Sequence, residues 1–237
     1  MAKEPGEARR EVRAARPASA VAGRRIRLHI DQRRAQLIEM GIDLFSKHAY
    51  ESISIDGLAE AAKISKGLLY HYFGTKRDFY VETVRAASRR LRLLTAPDPA
   101  LPPRARLRAA VEAHLRYIQE HGAVYHAVYR SGLGIAPEIQ SILEEHRTIM
   151  IRYLLEAIGV TKPRPLLRAA LRAWVAMVEG ASLDWIANPS VARDDLRELL
   201  VAGYAGLLLK TVELDPKISL QIPTATKEQY RMTIAAL

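Results

Sequence analysis

Apolar residues recur at helical spacing along most of the 237-residue chain, and the alternation typical of strands is brief. This pattern predicts an all-α fold. The first apolar row predicts a helix that Asp31 can cap and that continues through Phe45. Residues 1–25 are rich in Ala, Arg, Glu and Pro but poor in large apolar groups, so we expect disorder there.

Two short helices are predicted within residues 54–73. Ser54 is placed to cap the first helix and Ser65 the second, and Gly74 is a left-handed stop for the second. Only a tight turn around Lys63 separates the two helices. Two helices joined by so few residues have the spacing of a helix-turn-helix unit.

Capping signals and prolines divide the rest of the chain. The sequence TKRD, Thr75 to Asp78, fits the capping box of a long helix towards Leu94. The clearest predicted boundary is Thr95–Arg104, which contains four prolines. Further helices are predicted at residues 105–120, 123–130, 137–158, 165–187 and 191–213. The tail from Asp215 contains two prolines and is predicted to end in a short helix from Thr226.

The second short helix carries an unusual set of polar and aromatic residues. Leu69 and Phe73 are four residues apart, so both should face the core. Its first turn should then expose Ser65, Lys66, Gly67 and Leu68, with Tyr70, His71 and Tyr72 around the rim. Donors and a positive charge at a helix N-terminus favour an anion, and Gly67 permits close backbone approach. This arrangement predicts a helix that enters the DNA major groove, and the alternative is a solvated polar turn.

Charge supports a polyanion partner. The net charge is +10, with +5 in residues 1–30, +3 in residues 31–95 and +2 in the remainder. The basic arm could follow DNA phosphates or the minor groove, or it could only solubilise the chain. Its arginines are Arg9, Arg10, Arg13, Arg16, Arg24, Arg25 and Arg27.

The absence of cysteine excludes disulfides, thiolate metal sites and cysteine nucleophiles. No stretch is apolar over the length needed to span a bilayer. We therefore expect a cytoplasmic protein with no membrane partner.

The stretch RRAQLIEMGIDLFSKHAYESISIDGLAEAAKISKGLLYHYFGTKRDFYVETV resembles the N-terminal domain of TetR-family transcriptional regulators over about fifty residues. The resemblance implies a three-helix DNA-binding domain and a linking fourth helix at residues 31–95, after a basic arm at residues 1–30. It also implies a helical ligand-binding and dimerisation domain at residues 105–213, with a tail at residues 214–237. The implied partners are a pseudo-palindromic double-stranded DNA operator, a second copy of the chain and a small-molecule effector.

By position, the resemblance also implies roles for single residues. Ser54 and Lys76 resemble phosphate contacts. Ser65, Lys66, Gly67 and Leu68 resemble the turn that enters the groove, and Tyr70, His71 and Tyr72 resemble backbone and nearby base contacts. Lys63 and Ala49 depart from the family, which usually has glycine at both positions. Lysine in the turn could adopt a strained backbone or slightly change the helix angle, and it could add a phosphate contact. Leu68 favours contact with a thymine methyl group over a hydrogen bond.

The second half gives weaker signals. Candidate ligand-binding residues are the aromatic and polar groups on its middle helices, namely Tyr117, Tyr125, His126, Tyr129, Trp174, Met177 and Trp185. Such residues also form plain core or dimer interface.

Glu179 and Asp184 could meet a cationic ligand or pair with Arg168 or Arg172 on the surface. Apolar rows on the last two helices support a dimer bundle, although some of that surface must instead cover the core of the protomer. The rows are Leu167, Leu171, Trp174, Val178, Ala181 and Trp185, with Leu196, Leu200, Tyr204 and Leu208.

Other functions fit the sequence less well. His114, His121, His126 and His146 have no zinc-like or triad spacing and are interpreted as surface residues, and no glycine-rich phosphate loop is present. The chain is therefore predicted not to be an enzyme, and no cofactor is expected. The prediction is a ligand-responsive DNA-binding transcriptional regulator, a repressor released from its operator by a small molecule. The alternative is a sequence-tolerant architectural DNA-binding protein.

Overall fold

The computed structural model of the chain describes residues 18–131 and 137–220, apart from the side chains of residues 18–29, 123, 124, 126, 127, 130 and 131. These residues form eight α-helices and one short 3-10 helix at Tyr50–Ser52, with no strand among them. The predicted all-α fold is thus confirmed. The helices are α1 (Ala18–Lys47), α2 (Ile55–Ala61), α3 (Lys66–Phe73), α4 (Lys76–Leu94), α5 (Pro103–Ser131), α6 (Pro137–Ala157), α7 (Pro165–Ala187) and α8 (Arg193–Leu214).

Helix α1 begins earlier than the sequence indicated. It starts at Ala18, so Asp31 lies inside the helix and the disorder predicted for residues 18–25 is wrong. Alanine and arginine are strong helix formers, and extending an existing helix requires no new nucleus. The rest of the predicted arm, residues 1–17, and the tail beyond residue 220 with its predicted helix from Thr226 lie outside the described residues. The chain divides into two units, Met1–Leu37 and Ile38–Leu237.

An aromatic cluster forms the core beneath the two short helices. The ring of Phe45 lies 5.9 Å from that of Phe79 and 4.8 Å from that of Tyr80, and Phe73 of α3 lies 4.7 Å from Phe79. Gly41 brings α1 close to α4, because a Cβ atom there would lie 2.6 Å from Thr83 Oγ1. The cluster therefore joins α1, α3 and α4.

The caps predicted at Ser54, Ser65 and Thr75 are confirmed, unlike the one predicted at Asp31. The Ser54 hydroxyl accepts from the Gly57 amide at 2.9 Å, and the Ser65 hydroxyl accepts from the Leu68 amide at 3.2 Å. Thr75 Oγ1 accepts from the Asp78 amide at 3.0 Å and opens α4. Gly74 ends α3 with a φ of 73°. Local side-chain chemistry therefore sets the ends of α2, α3 and α4.

The second half contains the four longest helices after α1. The two predicted helices between Pro103 and Ser131 form one element with a kink at His121, where φ is −128°. The indole of Trp174 on α7 donates to the Leu200 carbonyl of α8 at 2.9 Å. Two ion pairs join α4 to α6: Arg77 Nη2 lies 2.7 Å from Glu138 Oε2, and Arg92 Nη2 lies 3.7 Å from Glu145 Oε1.

The apolar rows of α7 and α8 do not support a dimer bundle in the way predicted. All their members except the half-buried Ala181 are buried within the protomer, from Leu171 and Leu200 at 0% exposed to Trp185 at 9%. Each row faces the core of the protomer, because a helix in a layered fold buries its apolar side against the elements of its own chain. Any dimer surface must therefore lie on other residues.

No helix in the described ranges is long and apolar enough to cross a membrane. The same residues contain no group of three His, Cys, Asp or Glu side chains that could hold a metal ion.

Candidate DNA-binding face and effector cavity

The turn between α2 and α3 is closed by backbone hydrogen bonds. The Ile64 amide donates to the Ala59 carbonyl and the Lys63 amide to the Glu60 carbonyl, both at 3.0 Å. This pair of bonds is a Schellman motif, which requires a left-handed residue after the helix. Lys63 supplies it with a φ of 52°, the one positive φ at a non-glycine residue in the described ranges. The strained backbone that the departure from glycine predicted is therefore present.

Helix α3 divides into a buried and an exposed side as predicted. Leu69 and Phe73 are 1% and 6% exposed. The predicted contact residues Ser65, Lys66, Gly67, Leu68, Tyr70 and His71 are exposed, and Tyr72 is half-buried. A Cβ atom at Gly67 would meet nothing within 4 Å, so the space in front of its backbone is open. The structure thus brings one polar surface together at the N-terminal end of α3.

Lys66 has a partner that the sequence analysis missed. Its ammonium group lies 3.0 Å from Asp56 Oδ1 of α2, and the hydrogen bond to Asp56 raises the pKa of Lys66. Both side chains are exposed. Asp56 therefore holds the Lys66 side chain across the helix-turn-helix while leaving other ammonium donors open.

The ammonium group of Lys76, which was predicted to contact a DNA phosphate, already has a hydrogen-bond partner within the protein. Its ammonium group donates to the Tyr50 carbonyl at 2.5 Å and lies 4.0 Å from the centre of the Tyr50 ring. It is half-buried. The described contacts give Lys76 a structural role, fastening α4 to the 3-10 helix, and its phosphate contact stays a prediction.

A cavity of about 1050 Å³ lies among the helices of the second half. Most of its wall is apolar, including Leu107, Val111, Met150, Val175 and Leu208. Polar groups in the wall include His114, Tyr129, His146, Glu179 and Tyr204, and charged groups at the wall include Arg104, Arg106, Lys210 and Glu213. Small-molecule sites in proteins are concave and mainly apolar with a few polar groups, so this cavity has the character of a ligand site.

Glu179 forms a partly buried ion pair with Arg147, in place of the surface pair that was one of its two predicted alternatives. Its Oε1 and Oε2 atoms accept from Arg147 Nε at 2.9 and 3.0 Å, and Oε1 also accepts from Tyr129 at 3.0 Å. Arg172, predicted as its partner, pairs with Glu144 at 2.6 Å. Sequence spacing within α7 could not reveal Arg147, because that residue lies on α6.

Two histidines predicted to lie on the surface are buried. His114 is 9% exposed and its Nε2 lies 3.1 Å from Ser182 Oγ, while His146 is 6% exposed. Burial lowers the pKa of His114 to about 3 and that of His146 to about 4, so both rings are neutral near pH 7. The sequence does indicate that His146 is buried, because His146 continues the apolar row of Ile139, Ile142 and Leu143 on α6.

The structure separates the seven candidate ligand residues. Tyr129 and Trp174 line the cavity. Tyr117 and Tyr125 line a neighbouring pocket of about 40 Å³, which Tyr129 and His146 also line. The Trp185 indole donates to the Val191 carbonyl at 2.8 Å, and Met177 is 38% exposed. The side chain of His126 lies outside the described residues.

Two family models match the parts described above. One, described as bacterial regulatory proteins of the tetR family, matches residues 37–83, which include α2, α3 and the start of α4. The other, described as a tetracyclin repressor-like C-terminal domain, matches residues 103–206, which contribute most of the cavity wall. The chain belongs to the TetR family. TetR-family proteins are DNA-binding regulators of transcription, so the chain is a regulator and not an enzyme.

Named relatives agree with this assignment. The chain is 28% identical over 165 residues to the transcriptional activator FasR of Mycolicibacterium smegmatis, a match of 58% of this chain and 74% of FasR. It is 30% identical over 123 residues to the transcriptional regulator AcuR of Cereibacter sphaeroides, covering 50% of this chain and 54% of AcuR.

Solved structures give the same fold. A TetR-family regulator from Streptomyces coelicolor shares 28% identity and a TM-score of 0.75, covering 86% of this chain and 89% of that protein. FadR of Bacillus subtilis, solved in complex with stearoyl-CoA, shares 16% identity and a TM-score of 0.57 over 71% of this chain and 98% of its own. The second similarity shows the fold alone.

Proposed function

We propose that this TetR-family regulator is a homodimeric, ligand-responsive repressor that a small molecule releases from a pseudo-palindromic operator. The observation that carries the proposal is the combination of an exposed recognition helix, α3, with a mainly apolar cavity of about 1050 Å³ in the same chain. A ligand in such a cavity gains the apolar contacts that water does not provide.

The proposed DNA contacts start from the exposed end of α3. Ser65, Lys66 and the open backbone at Gly67 enter the major groove, and Leu68 contacts a thymine methyl group. Tyr70, His71, Ser54 and the half-buried Tyr72 contact the DNA backbone and nearby bases. Lys76 has the smallest proposed contribution, since its ammonium group is already bound to the Tyr50 carbonyl.

The proposed dimer surface is a stripe of small and apolar residues on the exposed side of α7. We call it the α7 stripe. It consists of Leu166, Ala169, Ala173, Ala176, Met177 and Gly180, which lie along one side of the helix and are exposed in the protomer. Exposed Leu199 and Ala202 lie on α8. Small residues let two helices approach closely, and a second copy places two recognition helices one DNA turn apart.

The proposed route from cavity to DNA-binding face runs through α6 and α4. His146 and Met150 of α6 line the cavity, and α6 is fastened to α4 by the Arg77–Glu138 and Arg92–Glu145 ion pairs. Thr95, at the end of α4, lines the cavity as well. A ligand that binds better to one α4 position than to another shifts the population of DNA-binding states by that difference in affinity.

The direction of regulation is part of the proposal. FasR is named an activator, so membership of the family leaves both directions open. We propose repression because a ligand that moves α4 disturbs the two-fold spacing that DNA binding needs. The proposed site of action is the cytoplasm, where operator DNA is found.

The test is fluorescence anisotropy with labelled DNA from beside the protein's own gene, a scrambled fragment as control, and a salt series. Specific recognition predicts a preference for the native fragment that survives as salt rises, because the electrostatic part of binding is lost equally on both fragments. Equal binding that vanishes on both fragments together would favour an architectural DNA-binding protein instead.

A further inference from the structure

Two nitrogen atoms of cavity-lining residues are buried without a hydrogen-bond partner among the described residues, Arg106 Nε and His146 Nδ1. The Arg106 guanidinium still donates through Nη2 to the Pro99 and Leu101 carbonyls. His146 is 6% exposed. Most buried polar atoms in proteins are paired, and an unpaired one destabilises the folded state. A ligand group that pairs with Nδ1 would remove this penalty when it binds.

The charges near His146 are already compensated. Arg147 is paired with Glu179 at 2.9 Å, and Arg92 lies 3.7 Å from Glu145 and donates to Ser88 Oγ at 3.1 Å. The other polar wall groups nearby are Tyr129, which donates to Glu179, and His114, which contacts Ser182. A charged ligand group beside His146 would find Arg92 and Arg147 already paired with carboxylates, and burying an uncompensated charge is strongly unfavourable.

We propose that His146 Nδ1 anchors the effector by a hydrogen bond to an uncharged hydroxyl group on an otherwise apolar molecule. A hydroxyl both donates and accepts, so it pairs with Nδ1 in either imidazole tautomer. This inference rests on the proposed function, since it assigns a binding group within the same cavity. His146 also lines the small pocket beside Leu91 and Ala87 of α4, so the anchor lies next to the helix that carries the response.

The experiment uses two probes that share one apolar body. Binding of 2-naphthol and 2-fluoronaphthalene is measured at pH 7 by displacement of Nile red from the full-length protein. The quantity compared is the ratio of their dissociation constants. The variants are His146→Phe, which removes the hydrogen bond, and His146→Gln, which keeps one. His121→Phe is the matched control, because His121 is half-buried at the α5 kink and lies outside both pocket walls.

We expect the wild-type preference for 2-naphthol to fall by about 2- to 10-fold in His146→Phe, the range for one neutral hydrogen bond. It should persist in His146→Gln and His121→Phe. Melting curves establish that each variant folds, and His146→Leu replaces His146→Phe if the latter does not. An unchanged preference in the folded variant that lacks the imidazole would overturn the assignment.

Two further outcomes separate this inference from the proposed function. If neither probe displaces bound Nile red from the wild type, the hydroxyl anchor is wrong, and the regulatory proposal is decided by the DNA-release measurement alone. If 2-naphthol binds with the expected dependence on His146 while no cavity ligand changes DNA affinity, the anchor stands and the regulatory proposal is wrong.

Discussion

At the scale of single residues, the helix-turn-helix contains two positions where the backbone, more than the side chain, determines what a substitution does. Lys63 holds a left-handed conformation with a φ of 52°, which suits glycine better than lysine. Gly67 has the opposite character, because it lies inside a helix with open space where a side chain would fit. Lys63 gives a prediction about stability, and Gly67 gives one in which stability and DNA binding change in opposite directions.

Lys63→Gly should stabilise the protein by about 1 kcal/mol, because glycine adopts the left-handed region without the steric penalty of a Cβ atom. Lys63→Ala is the matched control, since it removes the same charge and keeps the penalty. The measurement is the urea midpoint at constant m-value. Equal midpoints for the two variants would contradict the strain assigned to Lys63.

Gly67→Ala should raise the stability of the protein by up to about 1 kcal/mol, the helix-propensity difference between the two residues. Its methyl group would occupy the space proposed for DNA, so operator affinity should fall by at least about 10-fold, the effect of 1.4 kcal/mol. Thermal melting and anisotropy on the native fragment measure the two effects. An unchanged operator affinity would show that DNA does not approach the α3 backbone.

Residue-level reasoning from sequence succeeded where the deciding partner is close along the chain. The caps Ser54, Ser65 and Thr75 contact amides three residues ahead, so their spacing is visible in the sequence. Arg147 and Glu179 are 32 residues apart, and their pairing depends on how α6 packs against α7. No local pattern contains that information.

At the scale of elements, the approach of α1 to α4 depends on Gly41. A Cβ atom at this position would lie 2.6 Å from Thr83 Oγ1 and 2.7 Å from Phe79 Cζ. Gly41→Ala should therefore destabilise the protein by about 1–3 kcal/mol, the usual effect of overpacking a core. Ser46→Ala, on the half-buried side of the same helix, is the control. A urea midpoint for Gly41→Ala at or above the wild-type value would contradict the close packing.

The buried histidines of α5 and α6 predict a pH dependence of stability. The folded-state pKa values of His114 and His146, about 3 and about 4, lie below the ordinary value of 6.5. The unfolded chain therefore binds more protons below pH 6.5, and stability is lost as the pH falls.

Each histidine should reduce the free energy of unfolding by up to about 1.4 kcal/mol per pH unit between pH 6 and pH 5. The carboxyl group of Glu144, whose pKa the Arg172 hydrogen bond lowers from 4.5, contributes only at lower pH. Urea titrations at pH 7, 6 and 5 measure how steeply the free energy of unfolding changes with pH. His146→Gln should make this slope smaller by the contribution of one histidine, because one proton fewer is taken up on unfolding. A slope that is the same in His146→Gln and the wild type would show that His146 is protonated in the folded state.

Sequence reasoning at this scale found the helices but misplaced two features. The α7 limits, Pro165–Ala187, were predicted correctly because Pro165 begins the helix and an Asn-Pro-Ser sequence follows it. The start of α1 was missed because few large apolar residues precede Asp31, although helix propensity alone sustains that extension. The core-facing rows of α7 and α8 were predicted to serve the dimer and in part the protomer core, and they serve the core, because periodicity shows a buried face without showing what covers it.

At the scale of the whole molecule, the proposed binding to a two-fold operator requires a two-fold dimer. Ala173 is exposed near the middle of the α7 stripe, so Ala173→Glu should leave the protomer folded and place a charge in the proposed interface. We expect a monomer at micromolar concentration by sedimentation, and operator affinity about 100-fold lower because two linked half-sites are lost. Ala109→Glu, exposed on α5, is the matched control. A dimeric Ala173→Glu protein would contradict the α7 stripe as the interface.

The most direct test of the central claim measures whether a ligand in the cavity releases the protein from DNA. A preformed complex with the native fragment is titrated with a panel of apolar compounds, and DNA release is followed by anisotropy for the wild type and for Ala110→Phe. Ala110 is half-buried and lines the cavity, so a phenyl ring there reduces its volume. The account predicts compounds that release DNA from the wild type and require at least about 10-fold higher concentration with Ala110→Phe, as the loss of about 1.4 kcal/mol of binding would give. Compounds that bind the wild-type cavity and leave DNA affinity unchanged would contradict the account.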